Sequence, residues 1–198
     1  MRLPTTLLCL AMTLALSACR NDANTDATTV APPRAPMTDP AASTSMPAAA
    51  AMATLTATQG HTAGGELRFE ASNGGVRISG QISGLTPGSE HGFHVHETGD
   101  CSAPDGTSAG GHFSPAGNAH GRVGAGEHHV GDTSNLTSDG QGVATVDNRL
   151  EGATLGDGSA TDVIGRGVIV HSEPDDYTTQ PTGAAGARLA CGVIQAAM

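Results

Sequence analysis

Apolar and polar residues alternate with a period of two along several short stretches of this chain. In one stretch, Val76, Ile78 and Ile82 alternate with polar residues between glycine-containing boundaries. A period of two is typical of a β-strand that buries one face. Similar patterns predict further strands in five other segments: 54–58, 67–70, 143–150, 163–171 and 190–196. No segment repeats its apolar residues at helical spacing, so the pattern predicts an all-β fold, either a sandwich or a barrel.

The region between Gly99 and His129 has no strand pattern and is rich in glycine, histidine and serine. A loop of that length inside a compact domain is usually functional or disordered, and its histidines favour a function. The 28 glycines of the chain also fit a fold with many tight turns.

The first 18 residues have the pattern of an export signal. Arg2 supplies a positive charge, residues 7–16 are largely apolar, and small residues precede Cys19. The apolar run is too short for a stable transmembrane helix. A signal that ends in cysteine resembles those of bacterial lipoproteins, in which Cys19 would be lipidated and would begin the mature chain. An ordinary secretory signal with a chance cysteine is the alternative.

This signal predicts a location in the cell envelope. No aspartate follows Cys19, and in this respect the signal resembles those that send a lipoprotein to the outer membrane, facing the periplasm. Without the lipid, the protein would be soluble in the periplasm. Residues 19–50 predict a disordered tether, because so few large apolar side chains cannot offset the entropy of ordering. The folded domain is then expected over residues 51–198.

Net charge limits the classes of binding partner, and the cysteines indicate the redox compartment. The net charge of −10 argues against nucleic acid and against a basic membrane-binding patch, so the lipid is the only membrane contact we expect. Cys9 leaves with the signal and Cys19 carries the lipid. Cys101 and Cys191 then remain available for one disulfide in an oxidising compartment.

Histidine is concentrated in one part of the chain, where seven of the nine histidines fall between His91 and His129. His94 and His96 are two positions apart on a predicted strand, so both imidazoles lie on the same face. Such a pair offers two nitrogen ligands to one metal ion, although the motif alone is not specific. Further candidate ligands follow along the chain: His112, His120, His129, Asp132 and His171. Imidazole suits copper and zinc, and three histidines with one aspartate suit tetrahedral zinc.

Five motifs stand out in the region 54–194. They are His91-Gly-Phe-His94-Val-His96-Glu, Ser108-Ala-Gly-Gly-His112-Phe, His129-Val-Gly-Asp132, Gly165-Arg166 before His171, and Thr182-Gly-Ala-Ala-Gly-Ala-Arg188-Leu-Ala-Cys191-Gly-Val. Together they resemble the copper/zinc superoxide dismutase family. The resemblance implies the Greek-key β-sandwich or barrel (immunoglobulin-like) for which this family is a known example, with long metal-binding and electrostatic loops. It also implies an oxidoreductase that uses copper and zinc to convert superoxide to dioxygen and hydrogen peroxide, here protecting the cell envelope.

The resemblance assigns roles to individual residues. It implies four copper ligands: His94, His96, His112 and His171. It implies four zinc ligands: His112, His120, His129 and Asp132. His112 would bridge the two ions and pass a proton to the departing peroxide, and Arg188 would bind superoxide beside the open copper position. Asp175 matches the carboxylate that connects a copper-ligand histidine with a zinc-ligand histidine, and Cys101 and Cys191 match the family's disulfide.

The other histidines receive structural interpretations. His91 has the strand parity of the core-facing residues around it, which predicts a hydrogen-bonded histidine in the core. His61 lies in a glycine-rich turn and is expected in solvent. His128 and His129 are adjacent, and the match to His-Val-Gly-Asp selects His129 as the ligand.

Cations are scarce where an anionic substrate would approach. All nine basic residues are arginine, and segment 172–187, which matches the family's electrostatic loop, contains three carboxylates and no basic residue. We expect the attraction to come from the metals and Arg188, with Arg122 as a candidate helper. The family is a known example of electrostatic steering, but here we predict that the rate falls little, or even rises, with ionic strength.

Two other functions use the same ligands. One is an envelope lipoprotein that buffers copper and zinc without turnover, and the other is a dismutase-like interaction module. Arg188 beside an open coordination position favours turnover, because metal storage needs no anion-binding group. The complete ligand set argues against a degenerate module. The oligomeric state, including a homodimer, stays open.

Overall fold

The computed structural model describes residues 50–197. The predicted export signal, Cys19 and the predicted tether lie outside these residues, apart from Ala50, which begins the first strand. Ten strands are present in the described part: β1 Ala50–Ala57, β2 Gly64–Ser72, β3 Gly75–Ser83, β4 Glu90–His91, β5 Phe93–His96, β6 Leu136–Thr137, β7 Ala144–Glu151, β8 Gly167–His171, β9 Arg188–Val193 and β10 Gln195–Ala196. A 3-10 turn at Thr107–Ala109 is the one helical element there. Between residues 50 and 197, no helix is long and apolar enough to cross a membrane.

Eight of the strands form one antiparallel sheet whose two halves share β1. The strand order is β5-β8-β9-β1-β2-β3-β7, and β10 also pairs with β1. The first residues of β1 pair with β2 and β10, whereas Thr56 and Ala57 pair with β9. Because β1 passes from one half to the other, the sheet curls into a half-barrel. β4 and β6 form a separate ribbon. The predicted all-β architecture is confirmed.

The strand with the clearest alternation is also the most regular. β3 pairs with β7 in continuous register, from Gly75 opposite Glu151 to Ile82 opposite Ala144. Alternate side chains of β2, β3, β5 and β7 fill the core inside the curled sheet, and the largest of them are Leu67, Phe69, Ile78, Ile82, Phe93 and Leu150. The core therefore consists of the apolar residues that the period of two selects.

Two strand predictions are only partly correct. The predicted strand 163–171 begins only at Gly167, because residues 163–166 form a turn in which Gly165 has a φ of 79°. The predicted C-terminal strand is divided at Ile194, whose backbone pairs with this turn instead of with a strand. Val163 and Ile194 are apolar and fully buried although neither lies in a strand, so the pattern of apolar residues does not reveal the break.

The histidine-rich loop returns to the sheet beside β5. Val95 N–H donates to the Gly131 carbonyl (2.8 Å), Phe113 N–H donates to the Val95 carbonyl (2.9 Å), and His96 and His112 form an isolated bridge. Gly131 permits this approach, because a Cβ at that position would overlap the carbonyl oxygen of Val95. These contacts bring the histidines of the loop against those of the strand.

Candidate metal centre

Four buried histidines from three parts of the chain meet at the β5 edge of the sheet. His94 and His96 lie on β5, His171 ends the adjacent β8, and His112 lies in the loop that is bridged to β5. Each exposes 5% or less of its surface, and one side-chain nitrogen from each lies within 4.8 Å of the others. His94 and His96 therefore share one face, as the period of two predicts.

Hydrogen bonds fix which ring nitrogen faces this first cluster. Three pairs of atoms are involved: His94 Nε2 with Asp175 Oδ2 (2.8 Å), His96 Nδ1 with the Gly110 carbonyl oxygen (2.9 Å), and His171 Nδ1 with the Gly186 carbonyl oxygen (3.5 Å). Because the oxygens only accept, these ring nitrogens carry the hydrogen and donate it. The opposite nitrogen of each ring is left with a lone pair, the form that binds a metal.

The nitrogens that face the first cluster have no partner. Between residues 50 and 197, six buried side-chain atoms lack a hydrogen bond, and four of them converge here: His94 Nδ1, His96 Nε2, His112 Nε2 and His171 Nε2. An unpaired buried polar group costs about 1–3 kcal/mol, so four in one place are unfavourable unless a ligand occupies the space between them. Four convergent imidazole nitrogens are a donor set that fits copper or zinc.

A second cluster adjoins the first and contains His112, His120, His129 and Asp132. The Nδ1 atoms of its three histidines lie 2.8, 3.1 and 3.2 Å from Asp132 Oδ1. The other carboxylate oxygen accepts hydrogen bonds from the backbone N–H groups of His129 (2.9 Å) and Gly121 (3.2 Å), which fix its orientation. Three imidazoles and one carboxylate are a donor set that fits tetrahedral zinc.

His112 belongs to both clusters. Its Nδ1 faces Asp132 in the second cluster, and its buried Nε2 faces the first cluster without a hydrogen-bond partner. The centroid of its ring lies 4.0 Å from that of His94 and 5.5 Å from that of His129. An imidazole that has lost its proton has one lone pair on each side of the ring. The position of His112 therefore suits a ligand shared by two ions.

Asp175 connects the two clusters on their outer side. Its buried carboxylate accepts hydrogen bonds from His94 Nε2 (2.8 Å) and His120 Nε2 (2.9 Å), and Oδ1 also accepts one from Tyr177 N–H (2.6 Å). The side-chain amide of Asn135 pairs with the backbone N–H (2.9 Å) and carbonyl (3.0 Å) of Asp175. A carboxylate held in this way fixes the orientation of both rings.

Burial favours the neutral form of three histidines in the first cluster, His94, His96 and His171. Desolvation lowers the pKa of His94 to about 4, although the hydrogen bond to Asp175 opposes the shift. Desolvation also lowers the pKa of His96 and of His171 well below the usual value, and the neighbouring imidazoles add to the effect. Neutral imidazole is the form that a metal requires.

Burial lowers the pKa of His129, but elsewhere around the second cluster the hydrogen bonds between carboxylates and imidazoles outweigh burial. Burial would raise the pKa of Asp132 and of Asp175, but hydrogen bonds from the histidines outweigh it and hold both pKa values well below the usual range. Burial lowers the pKa of His120, yet the hydrogen bonds to both carboxylates outweigh it and raise that pKa to about 9. The raised pKa favours a proton on each ring nitrogen of His120 when no metal is bound, and a metal held at Nδ1 would have to displace one of them.

Arg188 lies beside the first cluster. It begins β9 opposite His171 of β8, and its guanidinium donates to the carbonyls of Gly106 (2.7 Å) and Gly110 (2.6 Å). The Gly110 carbonyl also accepts the hydrogen bond from His96, so one backbone oxygen positions both the guanidinium and an imidazole of the cluster. Arg188 is thus a fixed, half-buried positive charge at the edge of the site.

The predicted disulfide between Cys101 and Cys191 is present, with a Cα–Cα distance of 5.7 Å. The two cysteines are 90 residues apart, and closing a loop of that size stabilises the fold by roughly 4 to 5 kcal/mol in the chain-entropy description. The bond also joins the loop that carries Gly106 and Gly110 to the strand that carries Arg188.

The remaining histidines match their structural interpretations. His91 is fully buried, and its Nδ1 donates to the carbonyl oxygen of His171 (2.8 Å). His61 is exposed. His128 lies outside both clusters, because its Nδ1 donates to the carbonyl oxygen of His129 (2.7 Å).

Arg122, expected as a candidate helper for the substrate, stacks on an aromatic ring. Its Cζ lies 3.9 Å from the centroid of Tyr177. The hydroxyl of Tyr177 accepts a hydrogen bond from Asn135 N–H (2.9 Å), so the ring is itself held in place. This contact fastens the histidine-rich loop to segment 172–187.

Three residues that position the site were not found from the sequence. They are Gly110, Asn135 and Gln180, which act through a carbonyl oxygen or a side-chain amide. Asn135 pairs with the backbone of Asp175, and Gln180 pairs with the backbone of His120. In each of these contacts one partner is a backbone group, which every residue has. The sequence therefore does not indicate which residues will pair.

Known proteins resemble this chain over most of the described region. A family model described as copper/zinc superoxide dismutase matches residues 63–194. The chain is 39% identical over 148 residues to Cu-Zn superoxide dismutase 2 of Aquifex aeolicus, which covers 73% of this chain and 86% of the relative. It is 40% identical over 151 residues to the Cu-Zn superoxide dismutase of Caulobacter vibrioides, covering 73% and 85%. The solved structure of the clock protein EA4 superimposes with a TM-score of 0.66 at 37% identity, covering 76% of this chain and 96% of that one.

The fold and the site define a class of protein, an all-β metalloprotein with two adjoining metal positions that have one histidine in common. Within this class, the chain belongs to the copper/zinc superoxide dismutase family. It is accordingly an oxidoreductase that dismutates superoxide, and copper and zinc are its metals. The family, the activity and the cofactors predicted from the sequence are confirmed at this level.

Proposed function

We propose that the first cluster would hold copper, the second would hold zinc, and superoxide is dismutated where the two clusters meet at His112. The observation that carries this assignment is the placement of His112, which offers one ring nitrogen to each cluster. The cluster that contains Asp132 has the mixed donor set typical of zinc, and the all-imidazole cluster adjoins Arg188.

The reaction converts two superoxide anions and two protons to dioxygen and hydrogen peroxide. When bound, copper supplies the one-electron redox change that this reaction needs, and zinc holds and polarises the shared imidazole. Arg188 binds and orients the anion through a guanidinium that is charged at any physiological pH. His112 Nε2 is the atom at which a proton is held and passed to the departing peroxide. Asp175 keeps the rings of His94 and His120 in the orientation that both ions need.

Metal analysis together with an activity assay tests this proposal. We expect the purified protein to bind one copper and one zinc per chain and to remove superoxide in a cyanide-sensitive manner. A protein that binds both metals but removes no superoxide would favour metal buffering. A protein that binds neither metal would favour a dismutase-like interaction module, and either outcome would contradict the proposal.

We propose further that the enzyme protects the cell envelope and is held there by a lipid on Cys19, at the periplasmic face of the outer membrane. Two features support this location: the pattern of an export signal that ends in cysteine, and the disulfide, which is typical of oxidising compartments. Tethered there, a domain would remove superoxide before it reaches envelope components.

Replacing Cys19 by alanine should abolish uptake of labelled fatty acid and partitioning into detergent, because stable anchoring needs the acyl chains. Superoxide removal by the soluble domain should not change. Replacing Cys9, which lies within the predicted signal, by alanine is the matched control and should leave lipidation intact. If the wild-type chain takes up no labelled fatty acid, the alternative of a soluble periplasmic enzyme holds.

A further inference from the structure

The side chain of Gln180 pairs with the backbone of His120 in both directions. Gln180 Nε2 donates to the His120 carbonyl oxygen (2.9 Å), and Gln180 Oε1 accepts from the His120 N–H (2.9 Å). The two residues are 60 positions apart, in segment 172–187 and in the histidine-rich loop. One side chain thus makes the pair of hydrogen bonds that a neighbouring strand would make.

Hydrogen bonds within the turn that carries Gln180 hold its backbone in place. The carboxylate of Asp176 accepts hydrogen bonds from Thr178 N–H (2.9 Å), Thr179 N–H (2.8 Å) and the Thr179 hydroxyl (2.5 Å). These bonds lower the pKa of Asp176 to about 2, so the carboxylate stays charged at neutral pH. The backbone closes the turn through Asp176 N–H to the Gly183 carbonyl (2.9 Å) and Gly183 N–H to the Thr179 carbonyl (2.7 Å). The backbone from which the Gln180 side chain extends is therefore held by the hydrogen bonds of the turn.

The same turn closes over the outer side of His120. Gly183 has a φ of 65°, and a Cβ there would overlap Asp175 Oδ1 and would lie 2.7 Å from His120 Nε2. The ring of His120 is held by Asp132 on one side and Asp175 on the other, and its backbone is held by Gln180. His120 cannot move outward unless the turn moves first.

We propose that Gln180 is a positioning residue that retains zinc by holding the backbone of His120 in place. This inference rests on the proposed function, in which His120 is a zinc ligand. Gln180 is exposed, so water replaces its hydrogen bonds when the turn opens, and its effect on overall stability is small. The hydrogen bonds of Gln180 instead slow the opening of the turn, and hence the rate at which zinc leaves.

The test compares Gln180→Leu, which removes both hydrogen bonds, with Gln180→Glu, which keeps the acceptor and removes the donor. Gln141→Leu is the matched control, because Gln141 is an exposed turn residue whose side chain contacts neither cluster. Each protein is prepared with copper and zinc bound. Two quantities are measured: the rate of zinc loss to a chromogenic chelator, and the hydrogen-exchange rate of the His120 backbone amide.

We expect Gln180→Leu to lose zinc about tenfold faster and to exchange the His120 amide about tenfold faster than the wild type, as the loss of two hydrogen bonds implies. Gln180→Glu should retain most of the amide protection, because its carboxylate still accepts from the His120 N–H, and should lose zinc at an intermediate rate. Gln141→Leu should match the wild type in both measurements.

Equal zinc loss and equal His120 exchange in Gln180→Leu and Gln141→Leu would overturn the proposal. If Gln180→Leu does not fold, Gln180→Glu decides, and a wild-type rate of zinc loss in that variant has the same meaning. A wild-type protein that binds no zinc would instead contradict the proposed function. The two failures are therefore distinguishable.

Discussion

Replacing His112 by alanine is expected to deplete both metals and to lower kcat/KM for superoxide by more than 100-fold. Loss of an outer hydrogen-bond partner usually costs about 10- to 100-fold in metal affinity, so loss of a ligand that serves two ions should cost more than ~100-fold at each. The two positions meet at this ring, because His112 is the residue that the two clusters have in common. Elemental analysis alongside the rate of superoxide removal measures both effects.

His120→Ala removes a ligand that belongs to one cluster only, and so provides the comparison for His112→Ala. It should reduce zinc strongly and copper only slightly, because His120 contributes to the second cluster alone. His61→Ala removes an exposed imidazole and is the control for the loss of a histidine as such. Normal copper and zinc in His112→Ala would rule out the bridging role.

The strands were predictable wherever one face of the sheet is buried and the other exposed. β3 has that pattern, since Val76, Ile78 and Ile82 are fully buried while Arg77 is exposed. The prediction was only partly correct near Ile194, which is apolar and fully buried but lies at a break in the strand and pairs with a turn. A period of two reports burial, and it does not distinguish a strand from a turn that packs against the same core.

The types of the candidate metal ligands were predictable from the sequence, but the hydrogen-bond partners that orient these ligands were not. The spacing of His94 and His96 places two imidazoles on one face in any strand. Which nitrogen of His96 faces the cluster depends on the Gly110 carbonyl, and that depends on how the loop returns to β5. Arg122 illustrates the same limit, because only the folded chain brings it onto Tyr177.

From the charges around the site, we expect Arg188 to be the main attraction for superoxide among residues 50–197. Segment 172–187 has no basic residue, and two of its three carboxylates, Glu173 and Asp176, are exposed. Asp175 is buried against His94 and His120. Arg122 is stacked on Tyr177. The guanidinium of Arg188 is fixed beside His96 by their common hydrogen-bond acceptor.

Replacing Arg188 by leucine is therefore expected to lower kcat/KM by about 10- to 100-fold, within the roughly 10- to 1000-fold range over which electrostatic attraction raises on-rates. Copper and zinc content should stay normal, because the guanidinium of Arg188 donates to the carbonyls of Gly106 and Gly110 and to no ligand atom. Arg188→Lys keeps the charge without the planar fork and should recover part of the rate. Pulse radiolysis of the metal-loaded variants measures the rates.

Arg77→Leu is the control for net charge, because it removes the same charge from an exposed position on β3. If long-range charge controlled the reaction, both arginine variants would be slowed alike; we expect Arg77→Leu to match the wild type.

A salt series distinguishes attraction by distant charges from attraction by a charge at the site. Charges more than about 10 Å apart are screened at ~0.1 M salt, whereas a guanidinium at the site is screened much less. The wild-type rate should therefore fall only slightly with ionic strength, or rise as the net negative charge is screened, and a steep continuous fall would show that distant cations guide the substrate.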